Sequence, residues 1–238
     1  MIYKLAETFR DLKNELAGNE LFDVYARYDD NEALMPGQLT NQLINLNGEE
    51  DEAADSYVPE YTFGLADSFK EVIEATWKNM MQYQCTFEKD RFYGAYSFNH
   101  PYVFLDEDPG LTDLVAQDHK DYEVIKNLKV FDNTHVKYQF GCIHYPPGAS
   151  RDIFESNIYL FQEEHLVPLR LTFRTYLESC AACMACENWQ LLFADPDEVA
   201  GYPQQLNRLK TAYQALSAIF PGKDFELFRK QLAVHKLL

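Results

Sequence analysis

Basic residues are scarce in this sequence. Against 38 Asp and Glu stand 21 Lys and Arg, for a formal net charge of −17. A field of that sign repels nucleic acid and anionic lipid and attracts basic proteins and cations. The few basic residues do not cluster with aromatics, which argues against a nucleic-acid surface. Five cysteines, an odd number, supply no disulfide framework. Reduced thiols and a cytoplasmic compartment are the expectation. No stretch approaches the ~20 apolar residues of a membrane span. The first eighteen residues alternate apolar and charged positions at helical spacing, unlike the unbroken apolar centre of a signal peptide. A P-loop, a GxGxxG after a strand, HExxH and GxSxG are all missing. No cofactor or metal is therefore expected.

Material for a core is ample: 47% of the 238 residues are hydrophobic, and Tyr and Phe dominate the aromatics at 16 and 17 against 2 Trp. Ile2, Leu5, Phe9, Leu12 and Leu16 recur at three- and four-residue steps, which predicts an amphipathic helix stopped near Gly18. Residues 21–28 alternate as a strand. A short helix is predicted after Pro36, closed by Asn47-Gly48. A second helix is predicted over 66–82, with Phe69, Val72, Ile73, Trp77 and Met80 as its buried stripe. Residues 91–106 read as two short extended pieces, and 111–128 as a weak helix or a pair of turns.

Residues 129–145 read as a β-hairpin whose turn is supplied by 131–135, and 156–169 add a strand and a short partner. A long helix is predicted from Thr172 to Trp189, then two more over 206–220 and 225–234, parted by Pro221-Gly222. Helices mixed with antiparallel strands and no βαβ alternation predict the α+β class, with extra C-terminal helices. The expected division is a domain over 1–187 and a helical extension over 188–238 packed on it.

Cys180, Cys183 and Cys186 follow each other at three-residue steps, a spacing that suggests zinc, an iron–sulfur cluster or redox chemistry. In a continuous helix, however, the outer two sit about 9 Å apart along the axis, too far to share one ion easily. Buried thiols are the preferred reading, with a thiol or metal enzyme as the alternative. Cys142 and His144 share a strand face and suggest a nucleophile pair, but no third orienting group accompanies them. The carboxylates of Asp106, Glu107 and Asp108 precede Pro109-Gly110 and read as a turn.

The acidic surplus is concentrated. Between Glu20 and Glu60 lie eleven carboxylates and one base, Arg27. Asp29, Asp30, Glu49, Glu50, Asp51 and Glu52 are expected to form a docking surface, with Tyr57 and Tyr61 as desolvated anchors beside it.

Several segments together resemble the SMI1/KNR4 (SUKH) superfamily. Pro36, Leu39, Leu43, Leu46, Asn47 and Gly48 are similar to its early helix and turn. Phe63, Ile73 and Trp77 match its next strand and helix. Leu105, Asp106, Asp108, Pro109 and Gly110 resemble its strand ending in an acidic turn, and Leu171, Thr172, Phe173, Tyr176 and Leu177 resemble its closing helix. The resemblance covers roughly residues 1–180. It implies a twisted, mostly antiparallel sheet with helices packed around it, and no general catalytic residues. It further implies a bacterial immunity-type protein that neutralises a toxin, many such toxins being nucleases, and the acidic surplus adds the expectation that the partner is a basic protein toxin. A regulatory scaffold related to cell-wall synthesis is the other reading that the resemblance supports.

Overall fold

A computed structural model describes residues 4–27, 79–99, 104, 108–134, 139–147 and 157–238. Helix α1 (Lys4–Ala17) opens the chain and buries Leu5, Phe9, Leu12 and Leu16, the stripe its periodicity predicts. It stops at Gly18, whose N–H donates to the carbonyl of Asn14 at 2.9 Å. Strand β1 (Phe22–Arg27) pairs antiparallel with β2 (Met80–Phe87), and β2 pairs with β3 (Asp90–Ser97). Along β2 and β3 alternate residues are buried: Met81, Tyr83 and Cys85 on one strand, Phe92, Gly94 and Tyr96 on the other. That period of two is what a half-buried sheet requires.

A one-turn helix, α2 (Tyr122–Ile125), leads into a second sheet of four antiparallel strands. These are β4 (Leu128–Thr134), β5 (Gln139–His144), β6 (Ile158–Gln162) and β7 (His165–Leu169), in that order. The two sheets touch where Phe98 bridges to Asp132 and Asn99 N–H donates to the Phe131 carbonyl. A register shift between Val130 and Asp132 marks a β-bulge at that junction. Bulges bend a strand and re-aim its side chains. Here Phe131 and Asp132 are both fully buried.

Helix α3 (Phe173–Ala182) packs its apolar face into the main core. Phe173, Tyr176, Leu177 and Cys180 on it have no exposed surface. Thr172 caps it: its hydroxyl accepts from the Thr175 N–H, and the Thr175 hydroxyl returns the bond to the Thr172 N–H. Helices α4 (Pro203–Ile219) and α5 (Glu226–Val234) follow, and one contiguous apolar core runs from Leu5 on α1 to Leu232 on α5. Lys223, between α4 and α5, forms an ion pair with Glu15 on α1. The class is α+β, as expected, and among the described residues the strands form two antiparallel sheets. No helix among them is long and apolar enough to cross a membrane.

Three expectations need correcting. The helix expected over 66–82 does not reach its predicted end, because Met80, Met81 and Gln82 belong to β2. Residues 131–134, expected as a turn, are the end of β4. The helix expected from Thr172 to Trp189 ends at Ala182. Beyond it Met184, Ala185 and Asn188 adopt positive φ, and residues 189–193 form a 3-10 turn.

Candidate functional site

The early end of α3 positions the site. Residues 184–187 leave the helix and run along the free edge of β3. Ala95 N–H donates to the Ala185 carbonyl at 2.8 Å, Glu187 N–H donates to the Tyr93 carbonyl at 2.9 Å, and Gly94 bridges to Cys186. Gly94 is required there. A Cβ at that position would lie 2.3 Å from the Tyr83 ring. Tyr83 crosses above the glycine and donates its hydroxyl to the Met184 carbonyl at 2.8 Å. Its ring thus pins the left-handed segment to the sheet.

Residues 184–190 thereby wall one side of the outward face of β1–β2–β3. Two cross-strand rows of that face line the groove, between the rows Arg27–Met80–Ser97 and Thr86–Arg91. The first lining row is Asp23–Gln84–Tyr93 and the second Tyr25–Gln82–Ala95. Neighbouring strands lie about 4.8 Å apart. The two tyrosines therefore stand diagonally across the central pair of glutamines. Tyr25 is 54% exposed and Tyr93 40%, well above most of the described aromatics. Ala95 leaves a low point in the second row. The result is a groove of about 480 Å³, closed on the far side by Gln139 and by Glu187, Asn188, Trp189 and Gln190.

A buried polar chain supports the groove wall. Tyr176 donates its hydroxyl to Asp132 Oδ2 at 2.7 Å and accepts from Gln190 Nε2 at 3.1 Å. Asp132 Oδ1 accepts from the Ser97 N–H at 3.0 Å. Burial raises the Asp132 carboxyl to about 7, although both hydrogen bonds favour its charged form. Gln139 Nε2 donates to Asn188 Oδ1 at 3.5 Å. Two buried atoms of the wall, Trp189 Nε1 and Gln190 Oε1, have no hydrogen-bond partner among the described residues.

The sequence-level candidates fare as follows. Asp29, Asp30, Glu49, Glu50, Asp51, Glu52, Tyr57 and Tyr61 lie outside the described residues, as do Pro36 to Gly48, Trp77, Asp106 and Glu107. The three thiols do not share one helix. Cys180 lies in α3, Cys183 caps it and Cys186 lies on the β3 edge. All three are buried. Burial pushes Cys180 and Cys183 well up and Cys186 to about 12, although the Tyr83 hydroxyl lies 3.5 Å from the Cys186 sulfur. Among the described residues no group of three or more His, Cys, Asp or Glu is arranged to hold a metal. Cys142 is fully buried in the second sheet's own apolar cluster and its thiol is pushed up by burial, while His144 packs edge-on to Tyr159. Asp108 makes a turn, its Oδ1 accepting from the Gly110 N–H.

Sequence reasoning counted Asp23 among the acidic residues but singled out none of Tyr25, Gln82, Gln84 or Tyr93. The signal was the alternation of β1, in which Asp23 and Tyr25 share the outward parity. A second depression of about 370 Å³, lined by His119, Lys120, Glu163, His165, Glu198 and Tyr202 among others, mixes both signs of charge and selects no ligand class. No protein-family model, no curated protein and no solved structure matches this chain.

Proposed function

We propose that this chain is a non-catalytic binding protein that docks a basic protein surface on the outward face of its three-stranded sheet, as an immunity protein docks a toxin. One observation carries this reading. Among the described residues the groove on that face is lined by two carboxylates, Asp23 and Glu187, by two exposed tyrosines, and by no Lys, Arg or His. Tyrosines that offer large rigid area beside charges of one sign are the usual anchors of a protein interface. The net charge of −17 adds a long-range field that speeds encounter with a basic partner. The buried, strongly basic thiols and the absence of an orienting group beside Cys142 favour binding over thiol chemistry. The resemblance to the SMI1/KNR4 superfamily points the same way.

The test is binding of an isolated partner protein by the wild-type chain and by a Tyr25→Ala/Tyr93→Ala double variant. The expected outcome is a loss of at least tenfold in affinity, with an association rate that falls severalfold as salt rises from about 50 to 500 mM. A partner that binds both forms equally, at a salt-independent rate, refutes both the face and its electrostatics.

A further inference from the structure

The groove wall holds a detail that charge alone does not require. Gln190 commits its Nε2 to Tyr176, which leaves Oε1 as the acceptor without a donor. The neighbouring Trp189 Nε1 is a donor without an acceptor among the described residues. Both side chains are nearly fully buried, at 2% and 1% exposure, and both line the groove. Native proteins leave few such atoms unsatisfied, because each costs the desolvation of a polar group. Both atoms lie beneath the groove surface, so a ligand that completes this wall meets them once the Trp189 and Gln190 side chains turn outward, and it then brings an N–H donor and a carbonyl or hydroxyl acceptor together.

We infer that the groove seats a single arginine residue of the partner, its guanidinium between the tyrosines and the wall and its own backbone carbonyl within reach of the indole. This rests on the reading of the face as a docking surface for a basic protein. Four observations on this surface converge on arginine. Its positive charge matches Asp23 and Glu187, at opposite ends of the row that also carries Gln84 and Tyr93. Its planar fork of five N–H groups supplies the donor that Gln190 Oε1 lacks and still pairs with a carboxylate. Its flat, weakly hydrated head stacks on aromatic faces, of which Tyr25 and Tyr93 are the exposed examples here. The small Ala95 beside Gln82 leaves room for the side chain to lie down in the groove. Lysine meets the first requirement only, since a compact ammonium neither stacks as a plane nor forks.

The tripeptide Gly-Arg-Gly, acetylated and amidated, is the probe, with Gly-Lys-Gly and Gly-citrulline-Gly as its charged and neutral comparators. The readout is the indole N–H signal of Trp189 in a nitrogen-15 NMR titration, made unique by Trp77→Phe. Gly-Arg-Gly is expected to shift that signal saturably, Gly-Lys-Gly to bind at least tenfold more weakly, and the citrulline peptide not to bind at the same concentrations. Asp23→Asn and Glu187→Gln, both on side chains with exposed surface, are each expected to weaken the arginine peptide at least threefold without lowering Tm. Equal binding of the arginine and lysine peptides overturns the arginine seat and leaves the basic-partner reading standing. Absence of any shift of the indole with Gly-Arg-Gly overturns the seat in the same way. A citrulline peptide that binds as well as arginine, or maltose that shifts the signal while the peptides do not, overturns both, because the groove then selects neutral polar groups.

Discussion

Replacing Asp132 by Asn should make the protein more stable at alkaline pH and leave it nearly unchanged only below pH ~4. Asp132 is completely buried, and its two hydrogen-bond donors, the Ser97 N–H and the Tyr176 hydroxyl, are neutral. Burial raises its carboxyl from 3.8 to about 7. A folded-state value above the unfolded one means that the folded protein binds this proton more tightly. The favourable contribution is therefore fully present below pH ~4 and is lost as pH rises through about 7. The gap corresponds to a ceiling of about 4 kcal/mol at 1.36 kcal/mol per pH unit. For a chain of this size that is a shift of roughly 10 °C in Tm. Asn mimics the protonated acid: its Oδ1 still accepts from Ser97, and its Nδ2 donates to Tyr176 as the acid proton would. The measurement is Tm for wild type and Asp132→Asn between pH 5 and 9, read as the difference between the two proteins. That difference cancels every other titrating group. It should open with pH in favour of the variant and level off above about pH 8. A difference that is independent of pH, or that turns against the variant in alkali, would refute the claim that burial outweighs the two hydrogen bonds.

Other outcomes follow from the same packing. Gly94→Ala places a methyl group against the Tyr83 ring and displaces its bond to Met184, so urea denaturation should show a loss of about 1–3 kcal/mol. Thr172→Ala removes the capping box of α3, at a cost of about 1 kcal/mol, while Thr172→Ser should retain most of it. Thiol titration of the native protein with an aromatic disulfide should be slow at Cys142, Cys180 and Cys183, all fully buried, and complete only in denaturant. Prompt reaction of two or more of these thiols at neutral pH would contradict their place in the core.

Much of the architecture is written in local periodicity. The stripe of α1, the strand and short partner of the β6–β7 hairpin and the Pro221-Gly222 break between α4 and α5 all read correctly, because each is enforced by residues close in sequence. Strand β2 did not. Met80 follows Ile73 and Trp77 at helical spacing, so the helical period runs on into a segment that is extended, and only pairing with β1 and β3 reveals it as a strand. The end of α3 was equally silent. No Gly or Pro follows Ala182, and the apolar spacing continues through Cys183 and Met184. Asn188 was the one local hint, since asparagine tolerates the left-handed region. The groove was illegible for a related reason: its wall exists only where residues 184–190 meet β3, almost ninety residues earlier in the chain.

Local rules are broken here in one place more than anywhere else. Among the described residues outside the wall, positive φ at non-glycine residues occurs in the two hairpin turns and at Lys236, where the chain must reverse or stop. At Met184, Ala185 and Asn188 it occurs beside a sheet, on residues with no intrinsic preference except at the last, at roughly 1–2 kcal/mol each. The same seven residues contain two buried polar atoms without partners, each costing about 1–3 kcal/mol. Packing alone gives no reason for that combination, because a plain continuation of α3 would satisfy its backbone and keep Trp189 and Gln190 elsewhere. The combination does have an effect. It turns the chain onto the β3 edge and carries Glu187, Trp189 and Gln190 to the rim of the tyrosine face. Strain and unsatisfied polarity that fall together on one wall are the physical mark of a surface kept for what it holds. That argument is independent of the net charge, and it supports the docking face proposed for β1–β2–β3.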